Sequence, residues 1–293
     1  MIATLRAVTT RNPLAPAIAV INLKGGVGKT HTTWLLASAC QESGRRVLLV
    51  DLDTQANLSS SFLEEDARMP GVEVLFDPAQ EPTMTSLGRR TSFPNIDLLP
   101  ANLHLAKFDL ADRRAWESTD LHLALVEPLA ELRGAYDLIL LDCPPRLSVV
   151  SFAALCAADG VVIPLEAADW GAQGIMHVTA AIQDVQRRYN SRLSLLGYLV
   201  SRFKRARAYQ QSYLKQLRAH FGPLAFDTVI PDLARFEQSV TDRIPITLHA
   251  PRSEEAEIAR ALLREVQRRQ HGAGNPRAVR RRSHLRQRPA LAA

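Results

Sequence analysis

Ala17-Ile18-Ala19-Val20-Ile21, a short apolar run, leads through Asn22-Leu23 into Lys24-Gly25-Gly26-Val27-Gly28-Lys29-Thr30. A buried strand that ends in a glycine-rich turn and enters a helix at Lys-Thr is the setting of a phosphate-binding loop. Backbone N–H groups of the turn and the helix N-terminus converge there on one anion. In such a loop Lys29 reaches the β and γ phosphates and the Thr30 hydroxyl ligates Mg²⁺. The usual spacing places a glycine five residues before Gly28, and here that residue is Leu23. Lys24 follows it, so two lysines bracket the turn. A lone loop lysine is ordinarily a solvated charge. Inside a phosphate-binding turn it is expected to meet phosphate.

Outward from this loop, short β-branched or leucine-rich runs alternate with longer helical patterns, as in βαβ units around a mostly parallel sheet. Strands are expected over 17–22, 46–51, 96–99, 138–142, 160–164, 195–200 and 225–230. Helices are expected over 29–43, 120–133, 173–189, 208–220 and 253–269. The runs at 47–51 and 138–142 are rich in apolar residues, as strands covered on both faces are. The fold class is therefore α/β, a doubly wound sheet flanked by helices. Ligands of such sheets bind beyond the C-terminal strand ends. Lys24, Asp51, Asp53 and Asp142 all fall at such ends and are expected to share one site. Asp142 either caps the turn after its strand or stands beside the metal of a bound nucleotide, and the upstream loop favours the metal. Residues 65–95 carry four prolines and read as an irregular connection with a short helix.

These segments resemble, in order and spacing, the deviant Walker A loop and its companion motifs in the ParA/MinD family of P-loop ATPases, and the ParA-type partition ATPases in particular. Residues 47–57 (VLLVDLDTQAN) are similar to the family's second acidic motif, and 136–145 (YDLILLDCPP) to its Walker B strand. Val229-Ile230-Pro231 and Pro251-Arg252-Ser253 are similar to closing segments of chromosomal and plasmid partition ATPases. The resemblance implies ATP and Mg²⁺ as ligands and slow hydrolysis. Under it Lys24, Lys29 and Asp53 form the catalytic set, with Asp53 positioning the attacking water. Lys24, Gly25, Gly26, Val27, Gly28, Lys29, Thr30 and His31 bind the nucleotide, while Thr30, Asp51 and Asp142 organise the metal. Lys24 would cross to the nucleotide of a second subunit, which makes homodimerisation ATP-dependent. Arg202, Pro231 and Asp232 are similar to loops that flank the base, and a strand followed by a plain turn reads equally well there. His31 stands where the family has a second threonine, Thr54 where it has proline, Ala56 where it has glycine, and Arg146 where serine is commoner. His31 itself reads either as a nucleotide contact or as a partly exposed residue at the start of a helix.

Composition sets the remaining bounds. The 293 residues are 46% hydrophobic and 23% charged, ordinary for a globular chain. No run approaches the roughly 18–20 apolar residues of a membrane span, and Met1 to Pro16 lacks a continuous apolar core, so a cytoplasmic protein is expected, and the family resemblance implies association with the nucleoid. Cys40, Cys143 and Cys156 have no metal or redox spacing and are expected to be buried. Eight of the arginines lie at or beyond Arg268; removing them from a net charge of +6 leaves residues 1–267 at −2. The expected organisation is a short flexible segment 1–16, an ATPase domain 17–270 and a basic, disordered tail 271–293. Lys204, Arg205, Arg207, Lys215, Arg218 and Arg235 together are candidates for a DNA surface without sequence preference. The expected function is ATP-dependent DNA segregation, with a ParB-like centromere-binding partner that stimulates hydrolysis and releases the dimer. The alternatives are a ParA-like ATPase positioning a protein cargo, or a MinD-like membrane-cycling switch. The tail offers only Val279, Leu285 and Leu291 as larger apolar residues, too few for a membrane-binding face.

Overall fold

Strands that are apolar on both faces need cover on both faces, and alternation along each strand sorts its side chains between two cores. The computed structural model describes residues 14–80, 84–109, 112–167 and 172–273. Its strands are β1 (Ala17–Val20), β2 (Val47–Asp51), β3 (Arg89–Arg90), β4 (Ile96–Leu99), β5 (Leu138–Asp142), β6 (Gly160–Glu166) and β7 (Ser194–Ser201). They form one sheet in the order β3-β4-β2-β5-β1-β6-β7, parallel except for β3 against β4. Ala17, Ala19, Leu48, Val50, Ile139 and Leu141 join one core, while Ile18, Val47, Leu49, Leu138 and Leu140 join the other.

The helices divide in the same way. On one face lie α1 (Lys29–Glu42), α2 (Asn57–Ser60) and, from the end of the chain, α9 (Ala234–Thr241), α10 (Ile246–His249) and α11 (Glu254–Ala273). The other face is covered by α5 (Val126–Leu132), α6 (Val149–Ala157), α7 (Ala172–Arg188) and α8 (Ala208–Phe221). Two short helices, α3 (Met84–Leu87) and α4 (Arg113–Glu117), lie in the connections. The three cysteines are free and buried. Among the described residues no helix is long and apolar enough to cross a membrane.

Several expectations need correction. Residues 225–230 are not a strand of the sheet. They run beside β7 with isolated bridges only, Tyr198 to Ala225 and Phe203 to Pro231. The reason is tertiary: the Glu265 carboxylate on α11 accepts the N–H groups of Asp227 (2.9 Å) and Thr228 (2.8 Å), which interrupts the ladder. The helix expected over 120–133 is split into a 3₁₀ turn, Leu121–Leu123, and α5. Pro128 sits in the first turn of α5, where its missing N–H costs nothing. α6 was not foreseen, because all nine of its residues are buried and it carries no amphipathic signal. The region 65–95 holds 3₁₀ turns at Glu65–Arg68 and Val72–Phe76, then α3 and β3.

The chain's end differs too. α11 continues to Ala273, so the first residues of the expected tail are its last turn; residues 1–13 and 274–293 lie outside the described residues. Arg269, which sequence alone groups with the tail arginines, is structural. Its guanidinium donates to the Glu265 carboxylate and to the carbonyls of Leu196 (3.0 Å), Pro223 (2.7 Å) and Ala225 (2.7 Å), and lies 4.2 Å from the Phe226 ring centroid.

A second buried arginine holds the irregular connection. Arg89 donates to the carbonyls of Ala67, Met69, Pro70, Ser86 and Leu87 at 2.7–3.1 Å. Burial lowers its pKa, and a guanidinium here is tolerated only because each carbonyl needs a donor. Arg89→Met keeps much of the volume and strips the donors, leaving buried carbonyls unsatisfied. Its expected cost is about 3 kcal/mol, read from the urea midpoint at unchanged m value.

Candidate nucleotide-binding site

The loop after β1 is braced from two neighbouring strands. Asn22 Nδ2 donates to the Pro164 carbonyl (2.6 Å), and Asn22 Oδ1 accepts from Lys24 N (2.9 Å). Ser201 Oγ donates to the Val27 carbonyl (2.5 Å) and Arg202 to that of Gly26 (3.3 Å). Gly26 and Gly28 have φ of 77° and 83°, the left-handed region that glycine enters without a Cβ penalty. At Gly28 a Cβ would also stand 3.2 Å from Ser201 Oγ. The loop is therefore folded for an anion by its backbone, with α1 starting immediately beyond it.

Its two lysines face opposite ways. Lys29 is buried, at 7% exposure, and its Nζ donates to the Lys24 carbonyl across the loop (3.1 Å). Burial lowers the Lys29 pKa, while Asp142 and Asp53 act to raise it. The Lys24 side chain, at 48% exposure, points outward, with Nζ 3.7 Å from Glu166 at the end of β6. Thr32 and Thr33 spend their hydroxyls on carbonyls of the turn before them, those of Gly28 and Lys29.

Three acids divide the remaining work. Asp51 and Asp142 are register partners on β2 and β5. Asp51 is fully engaged: Oδ2 accepts from Ser59 N (2.8 Å) and Ser59 Oγ (2.7 Å), and Oδ1 from Asp53 N (3.1 Å). Burial pushes its pKa up to about 6 in spite of the Ser59 bonds. Asp142 is buried and neither carboxylate oxygen has a well-formed hydrogen bond. Burial and then the Asp51 charge raise its pKa well above the usual carboxylate range; the Thr30 hydroxyl and Lys29 oppose this without cancelling it. Asp53 is partly exposed, with Oδ1 accepting from Gln55 N (3.1 Å), and opens onto the cleft.

The orphaned Asp142 oxygens beside the Thr30 hydroxyl fit a hard cation, which takes oxygen donors. Among the described residues no group of three or more His, Cys, Asp or Glu could hold a metal on protein ligands alone. That suits Mg²⁺, which is held by one or two side chains together with phosphates and water.

The cleft itself measures about 830 Å³. Gly25, Gly26, Gly28, Lys29, Thr30, His31 and Asp53 line one side, and Arg202, Pro231 and Asp232 another. The structure thus brings both candidate sets together, with Asp51 and Asp142 at the neighbouring strand ends. His31 is partly exposed, its ring edge-on to Phe236 with centroids 4.8 Å apart. Burial of the imidazole, then the Arg202 charge, lowers its pKa to about 4, so it is neutral at physiological pH. Phe236, Gln55, Asn57 and Arg243 also line the cleft. Gln55 and Asn57 lie within the acidic motif but sequence reasoning left them out of the site, and Phe236 and Arg243 fall in and just after α9, which carries no motif of its own. Two departures gain a physical meaning. Ala56 has φ 51°, the conformation for which glycine is suited, and Arg146 pairs with Asp109 (2.8 Å) away from the phosphate loop.

Candidate DNA residues fall in two groups. Lys204, Arg205, Arg207 and Arg235 surround the ends of β7 and α11, and most are paired: Lys204 Nζ is 3.1 Å from Asp232, Arg205 is bonded to Glu254, and Arg235 is 3.6 Å from Glu255. Arg207 donates to Tyr209 Oη (3.0 Å). Farther along α8, Lys215 is exposed and Arg218 donates to the Asp227 carbonyl (2.9 Å).

Comparison with known proteins shows the family. An AAA-domain family model matches residues 15–195, a span that includes the phosphate loop, Asp51, Asp53 and Asp142. The chromosome-partitioning ATPase Soj of Thermus thermophilus is 37% identical over 251 residues, 85% of this chain and 94% of that one. The chain belongs to the ParA/Soj family of P-loop ATPases. The chromosome partitioning protein ParA of Caulobacter vibrioides is 31% identical over 260 residues, 87% of this chain and 94% of its own. Among solved structures, one described as cobyrinic acid a,c-diamide synthase from Mycobacterium smegmatis, with bound ADP and magnesium, superposes with a TM-score of 0.71 at 31% identity, covering 87% of this chain and 96% of that one. As a ParA/Soj ATPase the protein uses ATP with Mg²⁺ and hydrolyses it, and at family level it is a partition ATPase. The family match ends at residue 195, short of Arg202 and of every candidate DNA residue.

Proposed function

We propose that this ParA/Soj ATPase segregates DNA through an ATP-bridged homodimer that binds duplex DNA without sequence preference. The observation that carries the reading is the opposed pair of lysines. Lys29 turns into its own loop, whereas Lys24 turns out of it, half-exposed, where it can serve a nucleotide held by a second copy. Within one protomer Lys29, Gly25, Gly26, Val27, Gly28 and His31 would hold the phosphates, and Arg202, Pro231 and Asp232 would flank the base. Thr30 and Asp142 would hold Mg²⁺, which when bound neutralises charge on the phosphates. Asp51, tied to Ser59 and to the Asp53 backbone, fixes the loop that carries Asp53, and Asp53 holds the attacking water in line. Phosphoryl transfer asks mainly for such positioning. Dimerisation doubles the cationic surface of Lys204, Arg205, Arg207, Lys215, Arg218 and Arg235, so DNA binding follows the nucleotide state. A ParB-like partner that stimulates hydrolysis would end each cycle on the nucleoid.

Lys24→Ala tests the central element. The variant is expected to bind ATP within a few-fold of the parent yet to sediment as a monomer with ATP and Mg²⁺, where the parent sediments as a dimer. Dimerisation equal to the parent's would remove Lys24 from any role between subunits.

A further inference from the structure

Arg205 and Arg235, on the candidate DNA surface, are held by the protein's own acids. Glu254 and Glu255 stand in the first turn of α11, where the positive end of a helix steadies carboxylates. Glu254 is both hydrogen-bonded and ion-paired to Arg205. The Glu255 side chain is 6% exposed, and its Oε2, 3.6 Å from Arg235, makes no hydrogen bond. Removing the cation from beside a buried carboxylate is costly. Neither arginine can give its guanidinium to a phosphate without leaving a glutamate behind.

We propose that Glu254 and Glu255 are internal competitors for DNA phosphate, which occupy Arg205 and Arg235 in the single protomer and keep its affinity for duplex DNA low. The inference rests on the DNA-binding reading given above. Its logic is a difference between states: an arginine bound to glutamate gains from phosphate only the excess over the bond it gives up. One protomer offers too few contacts to overcome this at each position. Two aligned copies engage the same duplex together, so the second set binds at high effective concentration and the competition is overcome. The glutamates thus sharpen the contrast between monomer and dimer, at the expense of total affinity.

The test uses the full chain and a labelled duplex of unrelated sequence, titrated with ADP and with ATP at several salt concentrations. Glu254→Gln is expected to tighten binding in ADP by about 3- to 10-fold. Together with Glu255→Gln it is expected to steepen the log–log salt slope by up to about 2, close to one phosphate contact per freed arginine. Glu257→Gln removes the same charge from α11 but loosens Arg264 instead, since Arg260 stays bound to Glu42, and is expected to change affinity less than about twofold. In an Arg205→Ala background Glu254→Gln is expected to have no effect, because a pairwise interaction vanishes with either partner. Since Glu254 is exposed, this arm does not depend on the buried Glu255 tolerating replacement. An unchanged affinity for Glu254→Gln, a gain equal to that of Glu257→Gln, or a gain that survives in Arg205→Ala would each overturn the competition. If Arg205→Ala with Arg235→Ala leaves DNA binding in ATP untouched, the DNA-binding reading fails as well. If those arginines are required and the glutamine variants are flat, the competition alone fails.

Discussion

Lys29→Ala is expected to weaken ATP binding at least about 100-fold while the protein stays folded. The Lys29 ammonium is buried and spends a hydrogen bond on the Lys24 carbonyl, which β and γ phosphates would replace. Charge-assisted bonds of this kind are worth about 1.5–3 kcal/mol each, so two amount to two to four decades of affinity. Folding should survive, because the loop is braced independently by Asn22, Ser201 and Arg202. Calorimetric titration with ATP and Mg²⁺, beside a thermal melt, reads both quantities. Binding within tenfold of the parent would mean that backbone N–H groups hold the phosphates unaided.

Asp53→Ala is expected to separate binding from chemistry. The Asp53 carboxylate accepts the Gln55 N–H, and alanine keeps the backbone bonds to Asp51 and Ala56, so ATP affinity should stay within a few-fold. Loss of the group that holds the attacking water should lower turnover by about 100-fold or more. Single-turnover phosphate release measures the chemical step directly, and sedimentation with ATP should show a dimer that persists. Parental turnover would strip Asp53 of the water-positioning role and return the question to the remaining cleft residues.

How far the sequence could be read depended on whether local pattern or tertiary context decided each element. β4 and β5 end where their apolar runs end, and α1 begins at Lys29, because glycine punctuation and hydrophobic runs are local properties. The 225–230 segment has strand-like residues, yet Glu265 on α11 captures the N–H groups of Asp227 and Thr228, a fact that no window around Phe226 contains. α6 is invisible for the opposite reason, since a helix buried on every side has no polar face to give it a period. At the site, the phosphate loop, Asp53 and Asp142 could be placed by spacing from strand ends. What spacing could not give was the division of labour among the acids: Asp51 satisfied by Ser59, Asp142 unsatisfied. Nor could it show Phe236 against His31, or the glutamates beside Arg205 and Arg235, which belong to elements distant in the chain.

Ala56 has one more consequence. With φ at 51° it occupies a conformation that costs an L-residue about 1 kcal/mol or more relative to glycine, three residues after Asp53 and three before Ser59. The resting shape of this loop is therefore a sprung one, held closed by the bonds from Ser59 to Asp51. A glycine would sit there at ease. The bonds from Ser59 to Asp51 therefore carry a load that glycine in the same place would not impose.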